Sequence, residues 1–219
     1  MKLLRRNECL CPTLAGGLLL LLLLGVATAL LLSQVHGFLS SSHPLGREVL
    51  VIEGWLGDAE LVDAVARQKA GSYSFVVTTG GPIGQGGFLT EYKSYAQLSQ
   101  ASLLKIGLNV PVFAVPSPEV RKDRTYASAL ALKQWLAGHY PEVRSFDLMS
   151  SGPHARRSHM LYQKAFGDAF SIGIIALPPT AYDASRWWVS SAGVRTVIGE
   201  SIAWLYAAIF FSPLADSED

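Results

Sequence analysis

One histidine and two arginines lie together in residues 150–158, which read Ser-Ser-Gly-Pro-His-Ala-Arg-Arg-Ser. An apolar run at 146–149 precedes them and a helix-like segment at 158–166 follows, so the pattern predicts a strand, a tight turn and a helix. Cations at a helix start are disfavoured by about 0.3–1 kcal/mol each unless an anion or a carboxylate balances them. His154, Arg156 and Arg157 therefore predict half of an anion-binding site that also uses the helix N-terminus. The alternative is that the arginines are solvated or pair with acidic side chains nearby.

Other polar residues follow further apolar runs of the chain. Ligands of open α/β sheets collect at the carboxyl ends of the strands, so residues at several strand ends are expected to share one site with His154. Glu91 is included because it falls in the first turn of a helix predicted over 90–106, although the helix dipole alone would favour a carboxylate there. Besides His154, Arg156 and Arg157, the predicted site residues are Glu53, Thr79, Gly80, Gly81, Glu91, Arg124 and Thr125.

Two carboxylates, one imidazole and the arginines suit the recognition of a phosphate ester or a pyrophosphate. Arginine forks would bind the anion, and His154, Glu53 or Glu91 could act as general acid or base. We expect the phosphate to lie between His154, Arg157 and Arg124, at two helix N-termini. The alternatives are that His154 is a neutral histidine capping its own helix and that Glu53 is an ion-pair partner of Arg157 or Arg124.

Several other chemistries lack their sequence patterns. The chain has no GxSxG elbow for serine hydrolysis and no HExxH zinc motif, and the separation of His154 from His159 points them to different helix faces, so no metal site is expected. The glycine-rich loop at 78–87 matches neither GxGxxG nor the Walker pattern. Its glycines permit close approach of the backbone to a ligand, or they only make the loop flexible.

Charge and cysteine content exclude two classes of protein. The formal net charge is +1 and no basic stripe is interleaved with aromatic residues, which argues against nucleic-acid binding. Both cysteines, Cys9 and Cys11, lie near the N-terminus. The rest of the chain therefore has no disulfide, catalytic thiol or zinc–thiolate site.

Residues 13–32 form a nearly uncharged apolar run, and about 20 apolar residues suffice to span a bilayer. Three basic residues in 1–12 predict a cytoplasmic N-terminus and export of everything that follows the span. A cleaved signal peptide is the competing interpretation, because Ala27-Thr28-Ala29 resembles a cleavage site. The apolar run continues to Leu32, however, and this length favours an uncleaved transmembrane anchor.

Strand-like and helix-like segments alternate over residues 48–182. The apolar runs at 49–52, 75–77, 112–115, 146–149 and 172–177 predict a three-layer, Rossmann-like α/β sandwich with a mainly parallel sheet of about five strands. Residues 33–47 are predicted to be a polar stalk between the anchor and this domain.

Residues 183–219 form an aromatic C-terminal extension. Its helix carries a stripe of apolar residues, which predicts an amphipathic helix packed on the domain. Exposed aromatic residues would leave a contact with the membrane surface open. The stripe is Val194, Ile198, Ile202, Leu205 and Ile209, and the aromatic residues are Trp204, Tyr206, Phe210 and Phe211.

Several short motifs together carry a family resemblance: Glu53-Gly54, Thr79-Gly80-Gly81, Glu91, Arg124-Thr125-Tyr126, residues 151–158, and Trp187-Trp188 with Glu200. Over about residues 49–176 they resemble the DUF218 family, the YdcF/SanA/ElyC-like proteins. In that family the motif at 151–158 usually reads like His-Met-Pro-Arg-Ala, so His154 and Arg157 occupy the matching positions. Arg124 stands where the family usually has asparagine in a Ser-x-Asn-Thr context. The extension resembles that of a subgroup with a single N-terminal anchor.

The resemblance implies a Rossmann-like sheet and a role in envelope integrity and peptidoglycan-precursor metabolism. It places the anchor in the bacterial inner membrane with the domain on the periplasmic side. The expected ligand is an anionic small molecule or a lipid-linked phosphate. S-adenosylmethionine, which has been suggested for another member, or a nucleotide is the alternative. The chain is then either an enzyme acting on an envelope precursor, or a non-catalytic binding or scaffold protein that contacts a membrane-protein partner through its extension.

Overall fold

The computed structural model describes residues 12–84 and 86–212, and its chain forms two compact units, 1–35 and 36–219. Helix α1 (Leu14–Leu39) contributes to both. Among the described residues it is the one helix long and apolar enough to cross a membrane, judged by length and composition alone. The helix extends beyond the predicted span because the polar residues after Leu32 do not interrupt its hydrogen bonding.

Residues 33–47, predicted to be a polar stalk, are helical up to Leu39, and residues 40–47 then pack on the strands of the sheet that contain Asp147 and Ile174. Leu39 is buried, and His43 forms an antiparallel bridge with Ile174. The backbone N–H groups of Leu45 and Gly46 donate to the buried carboxylate of Asp147, over 2.7 and 2.9 Å. We call residues 40–47 the strap, because these bonds tie it across the sheet.

The second unit contains a five-stranded, all-parallel sheet, as the sequence predicts. The strand order is β3-β2-β1-β4-β5. Apolar side chains point to both faces of the sheet, which is why these strands appear in the sequence as apolar runs, although Asp147 interrupts that of β4. The strands are β1 (Val49–Glu53), β2 (Phe75–Gly80), β3 (Val112–Pro116), β4 (Ser145–Ser151) and β5 (Ser171–Leu177).

Helices cover both faces of the sheet and so complete three layers. Leu132 and Tyr162, from α4 and α5, join one core cluster, whereas Leu61 and Leu103, from α2 and α3, join the other. The helices are α2 (Asp58–Ala70), α3 (Tyr95–Ile106), α4 (Arg124–His139), α5 (Ala155–Phe166) and α6 (Ser191–Ile209). Short 3-10 turns occupy Gly87–Leu89, Gly152–His154 and Ala184–Val189.

The direction of strand progression reverses between β1 and β4, which are neighbours in the sheet although they are distant in the chain. Doubly wound sheets form a crevice at such a switch point, outside the carboxyl ends of the strands. The register aligns those ends, with Glu53 beside Thr79 and Gly80 beside Pro116.

Two helix predictions differ from the structure. The helix predicted over 90–106 begins at Tyr95, because Ser94 caps it by accepting a bond from the N–H of Gln97. Glu91 therefore lies in the preceding loop and is exposed. Helix α5 begins at Ala155 rather than 158, so Arg156 and Arg157 fall in its first turn.

The apolar stripe of α6 does not pack on the domain. All of its members are exposed, whereas the buried residues of α6 are Gly193, Val197 and Ala207. A Cβ on Gly193 would lie 2.3 Å from the carbonyl oxygen of Trp187, so only glycine permits this close approach. Gly193, Val197 and Ala207 of α6 therefore face the protein, and the predicted apolar stripe faces outward.

Candidate functional site

A pocket of about 1070 Å³ lies at the carboxyl ends of the strands, at the switch point. Residues of α6, among them Thr196, Glu200 and Ala203, form one wall. Eight of the predicted site residues line the pocket together. They are Glu53, Thr79, Gly80, Gly81, Arg124, Thr125, His154 and Arg157.

Glu91 and Arg156 do not line this pocket. Glu91 lies in the exposed loop before α3. Arg156 turns away, because its Nε donates to the carbonyl oxygen of Phe38 and its guanidinium lies 3.9 Å from the centroid of the Phe38 ring. The roles predicted for these two residues at the site are therefore not supported by their positions.

Glu53 is the buried carboxylate at the floor of the pocket. It ends β1, and its side chain is only 3% exposed. Ser150 donates a short hydrogen bond to it, and Ser158 donates to its two oxygens over 3.0 and 3.1 Å. Burial of a carboxylate is unfavourable without such partners, so the two hydroxyls explain how Glu53 is accommodated. No arginine is bonded to it in the part of the chain that the structure describes.

His154 lies between two carboxylates. Its Nδ1 is 2.9 Å from Oε1 of Glu200, and its Nε2 is 3.8 Å from Oε1 of Glu53, too long for a hydrogen bond. A carboxylate only accepts, so the bond to Glu200 assigns the proton to Nδ1. Arg157 Nη2 lies 2.8 Å from the same nitrogen, and because a guanidinium only donates, it can bond only an Nδ1 without a proton, so this bond and the one to Glu200 exclude each other. His154 is the N-cap residue of α5, but its imidazole makes no capping hydrogen bond to that helix.

The other imidazole nitrogen is the chemically available one. Nε2 of His154 is buried and has no hydrogen-bond partner within the residues that the structure describes. The Trp55 ring packs edge-on against the imidazole, with ring centroids 4.7 Å apart. An imidazole held by a carboxylate at one nitrogen, with the other free, has the arrangement of a general base or acid.

Glu200 is the acidic partner of both His154 and Arg157. Arg157 donates to its two oxygens from Nε and Nη2, over 2.8 and 3.1 Å. Burial alone would raise the pKa of Glu200, but hydrogen bonds from His154 and Arg157, together with their charges, lower it to about 2. Arg157 therefore pairs with an acidic side chain, as one sequence interpretation held, but the partner is not Glu53.

Thr79 contributes to the wall of the pocket rather than to its polar lining. Its hydroxyl and that of Tyr162 are 2.9 Å apart in the buried core. Burial, reinforced by the negative charge of Glu53, raises the pKa of Tyr162, so its phenol stays protonated. Gly80, with φ at 153°, passes so near Tyr95 that a Cβ would lie 2.9 Å from the tyrosine Cβ.

Sequence reasoning included Arg124, the first residue of α4, but missed the cations of the preceding loop that form a rim with it. Arg121, Lys122 and Arg124 all line the pocket, and none forms an ion pair with another described residue. Glu119 and Asp123 lie in the same loop. The run of charges between β3 and α4 was the available signal, since it falls at a strand's carboxyl end.

Glu200, Trp55, Ser150 and Ser158 were also not assigned to the site. Glu200 is the only acidic residue of α6, and a lone carboxylate in an apolar helix was a usable signal. Across residues 12–84 and 86–212, no three His, Cys, Asp or Glu side chains are grouped so as to hold a metal ion.

Comparison with known proteins gives no relative. No family model matches the chain, and neither a curated protein nor a solved structure matches it.

Proposed function

We propose that the chain is a membrane-anchored envelope protein of the DUF218 type, whose pocket binds an anionic, phosphate-bearing ligand. The observation that carries the proposal is the pairing of two features in one pocket. The loop at 121–124 supplies cations without ion-pair partners in the described chain, and His154 is oriented by Glu200. The sequence motifs that resemble the family support the envelope role and the inner-membrane location.

The phosphate contacts belong to the rim rather than to Arg157. The bonds of Arg157 to Glu200 occupy its Nε and Nη2, so it is not free to grip a ligand with its full fork. Arg124 opens α4, and the Asp123 side chain makes no capping bond there, so the first-turn N–H groups add to the positive charge of the rim.

His154 is the residue for proton transfer if the bound ester or anhydride is hydrolysed. Water attacks phosphorus and gives a proton to Nε2, the P–O bond to the leaving group breaks, and Nε2 passes that proton to the leaving oxygen. Glu200 keeps Nδ1 protonated and the ring in place.

Binding is tested on the full chain in detergent by calorimetric titration with inorganic pyrophosphate and with farnesyl diphosphate, a short lipid-like diphosphate. Replacing Lys122 or Arg124 with alanine should weaken binding by about tenfold or more each, because a hydrogen bond to a charged group contributes about 1.5–3 kcal/mol. Lys105→Ala, an exposed lysine in the last turn of α3, is the matched control and should bind normally. Unchanged affinity in both rim variants would refute the proposal.

Two further measurements separate the alternatives. S-adenosylmethionine and a mononucleotide are titrated in parallel, and binding of S-adenosylmethionine without binding of either diphosphate would favour the cofactor alternative. Phosphate release from each diphosphate is then followed for wild type and His154→Asn. Release that the variant loses while it still binds indicates an enzyme, whereas binding without any release indicates a binding protein.

A further inference from the structure

Helix α6 has an apolar surface on the side away from the pocket. We call it the outer α6 face, and define it as Val194, Ile198, Ile202, Leu205 and Ile209. These side chains are 38–66% exposed. At about 100° per residue they fall on the side of the helix opposite Thr196, Glu200 and Ala203, which line the pocket.

The composition of this face is not that of a water-facing helix. A surface helix normally presents charged and polar residues to water. The charged residues of α6 are only Arg195 and Glu200, and Glu200 is held inside by His154 and Arg157. Exposed aromatic rings flank the helix, with Trp188 44% exposed before it and Phe210 74% exposed after it. Aromatic residues of this kind are enriched at the interface between membrane and water.

The contact between the end of helix α1 and α6 indicates what covers the outer α6 face. Phe38, in the last turn of α1, packs edge-on against Trp204 of α6, with ring centroids 5.0 Å apart. Arg156 bonds the Phe38 carbonyl, and Leu39 is buried, so this turn is fixed on the domain. The same helix contains the candidate membrane span. Along the chain, the span and the residue that contacts α6 belong to the same helical segment.

We propose that the outer α6 face binds the surface of the lipid bilayer. Its aliphatic side chains enter the boundary between headgroups and acyl chains, and Arg195 lies among the anionic headgroups. The inference extends the proposed function, since it requires α1 to be the membrane anchor.

The test uses the full chain in vesicles of phosphatidylethanolamine and phosphatidylglycerol, with Cys9 and Cys11 replaced by serine. An environment-sensitive fluorophore is attached at Ile202→Cys. The matched control is Val62→Cys on α2, which covers the other face of the sheet and where Val62 is 54% exposed. We expect the label at 202 to emit at shorter wavelength and to be quenched by lipids spin-labelled near the headgroup, and the label at 62 to show neither effect.

Two results would overturn the inference. Equal, water-like emission from both labels would show that the face does not touch lipid. Efficient disulfide cross-linking of Ile202→Cys between copies, unaffected by dilution in lipid, would show that a second copy covers it. Flotation of the vesicles reports the anchor separately, and pyrophosphate titration of the same variants reports the pocket. Retained flotation and pyrophosphate binding with a water-exposed label would therefore refute this inference alone.

Discussion

His154 and Glu200 are 46 residues apart in the chain and meet through a 2.9 Å contact between Nδ1 and Oε1. One ends the turn after β4, and the other lies in the middle of α6. Because Arg157 bonds the same carboxylate, Glu200 both orients the imidazole and fixes α6 as a wall of the pocket. The C-terminal extension is thus part of the site.

The Glu200 carboxylate should make stability depend on pH in acid. Its folded pKa is about 2 against an ordinary value of 4.5, so its stabilisation is complete above about 4.5 and is lost as the pH falls through about 2. The difference corresponds to about 3 kcal/mol as an order of magnitude. Melting temperatures measured from pH 7 to pH 2 should show this acid-sensitive component in wild type and not in Glu200→Gln.

Glu142→Gln is the control for this pH series, because Glu142 is exposed and forms no ion pair with another described residue. It should follow the wild-type curve. A Glu200→Gln curve that parallels wild type throughout would show that Glu200 does not carry the effect.

Arg157→Ala should lower stability by about 2–3 kcal/mol, somewhat less than the 3–5 kcal/mol typical when one partner is removed from a fully buried pair. The side chains of Arg157 and Glu200 are 19% and 18% exposed, so the carboxylate would be left largely buried with His154 as its remaining partner. At about 2–4 °C for each kcal/mol in a chain of this length, a thermal melt resolves the loss.

The matched control for Arg157 is Arg67→Ala, which breaks an ion pair with Asp63 whose side chains are 44% and 37% exposed. Exposed pairs contribute about 0.2–1 kcal/mol, so its melting temperature should change much less. Equal losses in the two variants would contradict the structural role assigned to Glu200.

Asp147→Ala should release the strap. The buried carboxylate accepts from the N–H groups of Leu45 and Gly46 and, over 2.8 Å, from the hydroxyl of Tyr73. Each donor left unsatisfied costs about 1–3 kcal/mol, so a loss of several kcal/mol is expected, with faster proteolysis within 40–47. Tyr73→Phe removes one donor and leaves the strap bonded, so it should not accelerate that cleavage. Strap cleavage as slow as in wild type would argue against this role of Asp147.

Topology is predicted from the basic residues that precede the span. Protease added to intact spheroplasts should digest residues 36–219, because the domain is expected outside the cytoplasm. A cytoplasmic marker enzyme must survive in the same sample. Full protection of the domain until the spheroplasts are lysed would reverse the assignment.

The sheet could be predicted because strands buried on both faces leave continuous apolar runs in the sequence. The same logic brought eight candidate residues to one pocket, since parallel strands end at one edge. It failed for Glu91, where the residues before Ser94 resemble a first helical turn and only the capping bond decides where α3 begins.

Two other features could not be predicted from the periodicity of the sequence. The partner of Arg157 lies 43 residues away, and no local spacing encodes such a contact. The spacing of apolar residues in α6 predicts an apolar stripe. That spacing does not distinguish a stripe that packs on the domain core from one that faces another surface. The close approach of Gly193 to Trp187 decides which side faces inward, and this depends on tertiary packing.

The strap also bears on how the domain could be separated from its anchor. His43 exchanges backbone hydrogen bonds with Ile174 on β5, the terminal strand of the sheet, over 2.7 and 3.2 Å. An unpaired edge strand can form backbone hydrogen bonds with a strand of another molecule and so promotes association. The sequence suggests a domain boundary at residue 48. A chain that begins there would leave β5 unpaired at its outer edge and would remove two of the hydrogen-bond donors to Asp147, so it should aggregate. Cutting before His36 would keep the terminal strand shielded.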